Sequence, residues 1–190
     1  MGDPKRQRRK FGTPRHPWRE GVLAEELNLV GLYGLRNKRE LWRHKTELTR
    51  YRNIARSLLG MPPEKRQRLE NELLTKLNRL GLVKENSTAE DVLDLTVQNI
   101  LDRRLQTMVY RAGLAKTPHQ ARQLITHRHI AIGGRMVTSP SYLVSREEEE
   151  LVGYSPYSPL NSPEHPLRRG GEAVEALLAG KSPVPKEGRA

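Results

Sequence analysis

The sequence predicts an α+β fold: a mainly helical N-terminal lobe, then a module of two helices and a small antiparallel sheet, set between an extended basic arm and a Pro-rich tail. Three features predict it. Apolar residues recur at helical spacing, with caps and glycine stops, from about residue 20 to residue 126. The period then switches to alternation around Gly133-Gly134, and both ends combine prolines with no sustained period. The divisions drawn on this basis are 1–19 for the arm, 20–101 for the helical lobe, 102–152 for the mixed module and 153–190 for the tail.

The arm holds seven basic residues and one acid, with Lys5, Arg6, Arg8, Arg9 and Lys10 packed together and three prolines to break any helix. Too little apolar surface is present to offset chain entropy, so it is expected to stay extended and to order on a polyanion. From Glu20 to Tyr33, Val22, Leu23, Leu27 and Val30 suggest a short amphipathic helix ended by Gly34. Asn37 can cap a longer helix, with Glu40 reaching back to the Asn37 amide, and Gly60 closes it. Leu41, Leu48, Ala55 and Leu59 fall within about 40° of one line on that helix, and Arg39, Arg43 and Arg50 fall opposite. Met61-Pro62-Pro63 opens a third helix through Leu69, Leu73, Leu77 and Leu80 to Gly81. Thirteen basic and five acidic residues lie between Arg36 and Leu80, so this lobe is itself a candidate contact with a polyanion. An acidic joint from Lys84 to Asp102 follows, where Ser87 and Glu90 are expected to form a capping box.

From Arg103 to Arg146 there are eight basic residues and no acid. Leu101, Leu105, Met108 and Ala112 make a helical stripe, with Arg104, Thr107 and Arg111 as the adjacent polar one, and Gly113 ends the helix. Thr117-Pro118-His119-Gln120 carries a complete set of start signals for the next helix. Its Ala121, Leu124 and Ile125 should face a core, while His119, Arg122, Gln123 and Thr126 face away; its N-terminal amides suit a phosphate. Ile130 and Ile132, the Gly133-Gly134 turn and Arg135-Met136-Val137 read as a hairpin. Tyr142 and Val144 start another alternating run, Arg146 to Glu150 form a polar turn whose acidic run Glu147 to Glu150 should face solvent or a basic neighbour protein, and Leu151-Val152 can add a last strand. The tail holds six of the thirteen prolines, and Tyr154-Ser155-Pro156-Tyr157-Ser158-Pro159 is expected to gain structure against a partner or to remain loose.

Composition narrows the function. The chain has 190 residues, 34 Lys and Arg against 22 Asp and Glu, and a formal charge of +12, which favours a nucleic-acid partner. With one Phe, two Trp and six Tyr, contacts to phosphate and sugar should outweigh stacking. No cysteine occurs, which excludes disulfides, thiolate catalysis and thiolate zinc sites. His127 and His129 lack a third ligand at a familiar spacing, so no metal and no cofactor is assigned. No apolar run approaches the roughly 20 residues that cross a bilayer, and the first residues lack the apolar core of a signal peptide, so a cytoplasmic protein is expected, with no membrane contact.

Arg103-Arg104-Leu105, Lys116-Thr117-Pro118, Gln120 to Ile125, His127-Arg128-His129-Ile130, the Gly-Gly turn and Ser139-Pro140-Ser141-Tyr142 resemble the S-four RNA-binding domain in order and spacing. The basic arm, His16-Pro17-Trp18 and Leu35 to Trp42 are similar to the N-terminal part of the small-subunit ribosomal protein S-four family, archaeal or eukaryotic type. The resemblance implies direct binding of small-subunit rRNA at a multi-helix junction, a nucleating role in subunit assembly, and a contribution to translational accuracy. It also implies contact with ribosomal protein S-five and other small-subunit proteins, and a position near the side where mRNA enters. No stable homo-oligomer is expected. Positions matching the family's RNA-facing pattern are Arg103, Arg104, Arg111, Lys116, Thr117, Gln120, Arg122, Gln123, His127, Arg128 and Arg135. Lys5, Arg6, Arg8, Arg9, Lys10, Arg39, Arg43 and Arg50 join them on charge. Many relatives place Asn where this chain has Gly133, and the cysteine-bound metal of some bacterial relatives cannot form here. A free RNA-binding factor leaves the arm and helical lobe unexplained. An RNA-modification protein would need a catalytic domain, yet no nucleotide loop, triad or paired carboxylates in an apolar setting stand out, so no enzymatic activity is expected.

Overall fold

The computed structural model describes residues 10–162 and 165. The helical lobe comprises α1 (Glu20–Leu32), α2 (Lys38–Leu59), α3 (Pro63–Arg79), α4 (Asp91–Asp94) and α5 (Val97–Asp102). The second lobe comprises α6 (Leu105–Arg111), α7 (Pro118–Thr126), β1 (Ile130–Ile132), β2 (Arg135–Met136), α8 (Arg146–Glu149) and β3 (Val152–Tyr154), followed by a 3-10 turn at Pro159–Asn161. The three strands form one antiparallel sheet in the order β2-β1-β3.

Helix starts follow the caps the sequence carries. Asn37 accepts the Glu40 amide at 3.2 Å and Thr117 accepts the Gln120 amide at 3.1 Å, each removing one orphan donor. Neither cap is the reciprocal box expected. The Gln120 side chain takes the Lys116 amide at 2.8 Å, and the Glu40 side chain goes to the other lobe. In the acidic joint, the Thr88 amide donates to Asp91 at 2.8 Å, one residue later than the expected Ser87 and Glu90 pair.

One core forms where Leu48, Tyr51, Ala55 and Leu58 of α2 meet Leu73 and Leu77 of α3 and the returning Val92, Leu95 and Ile100. Leu58 rather than Leu59 is the buried residue of the last α2 turn, and Leu69 is exposed. The α1 stripe is also shifted: Leu27 is exposed, whereas Glu26 is fully buried. The reason is electrostatic. Trp42 Nε1 and Lys45 Nζ donate to Glu26 Oε1 at 3.0 and 2.9 Å, and Lys38 Nζ faces Oε2 at 3.5 Å, so two lysines offset the charge of a buried acid.

A second core unites Leu105, Met108 and Val109 of α6, Ala121, Leu124 and Ile125 of α7, Ile130 and Ile132 of β1, and Val144. Gly133 and Gly134 both have positive φ, 55° and 80°, which the tight β1–β2 turn requires. The helix expected to run on through residue 104 is interrupted, because residues 103–105 take up strand-like pairing instead. Leu105 donates to the Tyr142 carbonyl at 2.8 Å and Val144 to the Arg103 carbonyl at 2.9 Å. The expected run at Tyr142 and Val144 is therefore not a sheet strand but the other half of an isolated bridge between Arg104 and Leu143.

The polar turn after Ser145 is the short helix α8, opened by a reciprocal box between Ser145 and Glu148. The chain stays packed beyond Val152. β3 runs to Tyr154, whose hydroxyl donates to the Leu114 carbonyl at 2.7 Å, and Leu160 is buried in the second core. Tyr154 to Pro159 thus order against their own domain, because Leu160 supplies an apolar anchor that prolines alone do not reveal. No helix among the described residues is long and apolar enough to cross a membrane.

Candidate nucleic-acid interface

Glu40 is the hinge pin between the lobes. Its carboxylate accepts from Arg104 Nη2 at 2.9 Å and from Arg122 Nη2 at 2.8 Å, so α2 holds both α7 and the residue that starts α6. Arg104 Nη1 also lies 2.8 Å from His44 Nε2. A guanidinium only donates, so His44 Nε2 accepts and the ring proton belongs on Nδ1, which lies 3.6 Å from Glu47. Burial works to raise the Glu40 carboxyl, but the Arg122 and Arg104 hydrogen bonds and charges outweigh it and hold it below the ordinary carboxylate range.

Gln106 completes the joint. It is buried, and its side-chain amide donates to the carbonyls of Tyr33, Gly34 and Pro118 at 3.3, 2.9 and 3.0 Å. The loop between α1 and α2 is thereby tied to the first turn of α7. Tyr33 adds a bond from its hydroxyl to Asp102 at 2.7 Å, and burial with the nearby carboxylate pushes its phenol up to about 12.

This joint corrects the reading of several arginines. Arg104 is 1% exposed and cannot meet a phosphate. A continuous helix would put it on an outer stripe, whereas the bridge to Leu143 turns it inward. Thr107, from the same stripe, is buried and donates to the Leu101 carbonyl at 2.8 Å. Arg122 is 24% exposed at its side chain and spends both terminal nitrogens on Glu40. Arg103, 13% exposed, binds Glu149 at 2.7 Å, and Arg111, more than half exposed, binds Asp102 at 2.6 Å. The phosphate cradle expected at the start of α7 is reduced as well, since Pro118 has no N–H and Thr117 occupies the Gln120 amide. The acids around α8 divide: Glu148 closes the Ser145 cap and accepts from Tyr142 at 2.8 Å and Glu149 holds Arg103, whereas Glu147 and Glu150 face solvent as expected.

Other candidates stand clear of these pairings. Lys116, Gln123, His127, Arg128 and Arg135 are exposed, Gln120 half-buried, and Arg39, Arg43 and Arg50 are exposed along α2. The three α2 arginines, Lys116, Arg128 and Arg135 form no ion pair among the described residues. The Glu40 clamp ties α2 to α7 through Arg122. Lys5, Arg6, Arg8 and Arg9 lie outside the described residues, but the arm is anchored from Phe11 onward. The Phe11 ring stacks on Trp42 at 6.1 Å with the Arg39 guanidinium 5.8 Å over it, and Gly12 donates to Thr46 at 2.9 Å. Exposed Lys10 therefore starts beside Arg39. No cluster of three His, Cys, Asp or Glu residues that could hold a metal occurs among the described residues.

Sequence reasoning missed Glu40 and Gln106 as joint residues. Gln106 could have been found, because an amide set between the apolar Leu105 and Val109 of a predicted helix needs buried partners. Glu40 could not, since its pairing partners are 64 and 82 residues away.

The helix pair leading into a β-hairpin is fastened to the helical lobe by charge, with cations outward on both. Residues 103–150 match the family model described as S4 domain, and residues 2–102 match the one described as Ribosomal protein S4/S9 N-terminal domain. The chain is 58% identical over 159 residues to small ribosomal subunit protein uS4 of Ignicoccus hospitalis, covering 84% of this chain and 96% of that one. It is 53% identical over 173 residues to uS4 of Sulfurisphaera tokodaii, covering 90% and 97%. The chain belongs to the small ribosomal subunit protein uS4 family.

Proposed function

We propose that the protein is a structural component of the small ribosomal subunit that binds small-subunit rRNA directly. The observation that carries this reading is family membership across both lobes, joined to a surface on which Arg39, Arg43, Arg50, Lys116, Arg128 and Arg135 are left unpaired while other arginines are consumed internally. Two cationic surfaces joined through Glu40 and Gln106 suit a junction of several RNA helices better than a single duplex, which supports an early, nucleating role in assembly. Neighbours in the subunit include ribosomal protein S-five, and the position is near the side where mRNA enters, with an effect on accuracy. The protein works in the cytoplasm without catalysis or cofactor. Glu40, Asp102 and Glu149 each hold an arginine.

Hydroxyl-radical footprinting on small-subunit rRNA, with sedimentation through sucrose, tests it. Protection should fall on the strands of one junction, and the protein should accompany small subunits stoichiometrically. With roughly 8 phosphates neutralised, log affinity should fall with log salt at a slope of about −6 to −7. A slope shallower than about −2 removes the electrostatic account. Scattered protection and a free protein at the top of the gradient refute the structural role and favour a dissociable RNA-binding factor.

A further inference from the structure

A cavity of about 440 Å³ lies between α7 and the segment after β3. Its wall is apolar where Leu124, Pro159 and Leu160 meet, and polar where Gln120, Gln123, His127 and His129 converge. We propose that this cavity receives one unpaired RNA base, with Gln123 at the base edge, the two imidazoles against its ring, and Arg128 on the phosphate beside it. The proposal rests on the rRNA-binding reading above and deepens it by giving one nucleotide a place.

The cavity is built, not incidental. Ser155 donates to the His129 carbonyl at 2.8 Å, and the Ser158 hydroxyl lies 2.8 Å from His129 Nδ1, so the far wall is fastened to the near one. Those bonds also fix the His129 ring. Gln120 already accepts the Lys116 amide through its oxygen, which leaves its NH2 group to donate, whereas exposed Gln123 can offer both donor and acceptor. The edge of a nucleobase presents that mixture. Its flat face suits the apolar wall and the imidazoles, whose rings are 20° from parallel with centroids 6.5 Å apart.

Backbone conformation at Arg128 is the independent sign. α7 ends with Arg128 donating to the Ile125 carbonyl at 3.1 Å and His129 to the Leu124 carbonyl at 2.9 Å, the double bond of a Schellman ending. That ending needs a left-handed residue after the cap, normally glycine, and here Arg128 adopts φ 66°. It is the one non-glycine residue with positive φ among the described residues. Strain of this kind clusters at functional sites, and an exposed guanidinium with no ion pair, on the residue between the cavity-lining His127 and His129, suits a nucleotide phosphate. A cationic peptide is disfavoured because no acid occurs between Arg103 and Arg146, and the walls are suited to a flat ring rather than an extended backbone.

Base-specific chemical probing of the rRNA junction tests this with the full chain, alongside backbone footprinting. One unpaired base should lose reactivity when wild type binds and regain it with the Gln123→Ala, His127→Ala double variant. That variant should weaken affinity about fivefold or more, the lower end of what one stacked base contributes. Arg128→Gly should melt no lower than wild type yet bind more weakly. A backbone footprint in which no base depends on residues 123 and 127 overturns the pocket alone, as it would if a peptide filled the cavity. Unchanged affinity of Arg128→Gly likewise overturns the role given to Arg128. Absence of any footprint with wild type overturns the rRNA-binding reading and this one together.

Discussion

Arg104 and Arg135 were indistinguishable as charges in a basic stretch, but Arg104 is buried against Glu40 and His44 while Arg135 is exposed on β2. Arg104→Ala leaves the half-buried Glu40 carboxylate to Arg122 alone and His44 short of a donor, and should cost about 1 to 3 kcal/mol. Arg135→Ala should stay within about 0.5 kcal/mol of wild type, weaken RNA binding and make the salt slope shallower by about 1. Chemical denaturation and salt-dependent binding of both variants check this. Normal stability with lost binding for Arg104→Ala would return that residue to the RNA surface. The identity of a cation is legible in sequence; whether its charge is spent inside the protein is not, because the acid that spends it comes from a distant helix.

Among the elements, α7 and the loop before α2 form one packed unit. Gly34 has φ 58°, and a Cβ there would lie 2.7 Å from the Pro118 Cβ and 3.0 Å from the Gln106 amide. Gly34→Ala therefore combines left-handed strain with a clash across the joint, and should lose more than the roughly 1 kcal/mol that such conformational strain alone costs. Leu124→Ala, truncating a buried side chain of the second core, should lose about 2 to 5 kcal/mol. Thermal melts of the two variants measure both effects; a neutral Gly34→Ala would mean that the loop and α7 separate freely. Caps and stops made α1, α2, α3 and α7 readable, because those signals act within four residues. The break before α6 was not readable, since it comes from pairing with residues 142–144 that outweighs local helix preference.

For the molecule as a whole, acid should loosen the joint. The Glu40 and Glu26 carboxyls are both held below their ordinary range, against the upward push of burial, by hydrogen bonds and charges of Arg122 and Arg104, and of Lys45, Trp42 and Lys38. A lowered folded-state pKa means the unfolded chain binds the proton more readily. The stabilisation is therefore complete above the unfolded carboxylate value of about 4.3 and is lost as pH falls through the lower folded value. Stability measured from pH 6 down to pH 3 should fall, and Glu40→Gln, less stable at pH 6, should fall less steeply. An equal slope in both proteins would exclude Glu40 as the group responsible. The joint between the lobes also predicts a bipartite grip. Deleting residues 1–10, just before the Phe11 anchor, should reduce affinity more on an intact rRNA junction than on a short helix that reaches only the second lobe, because only the junction engages both. Equal losses on the two RNAs would remove that coupling.

The sequence by itself determined the α+β class, the main helices, the Gly-Gly hairpin, the strong positive charge and the family. All of these rest on local period, local caps and composition, which need no knowledge of distant contacts. Tertiary structure alone decided which cations remain outside. Charged side chains pair wherever burial leaves an opposite charge within reach, and that reach is set by how α2 lies on α7. The same physics explains Glu26 beneath Trp42 and Lys45, the packed segment around Leu160, and the cavity beside Arg128: each exists only once residues far apart in the chain are brought together.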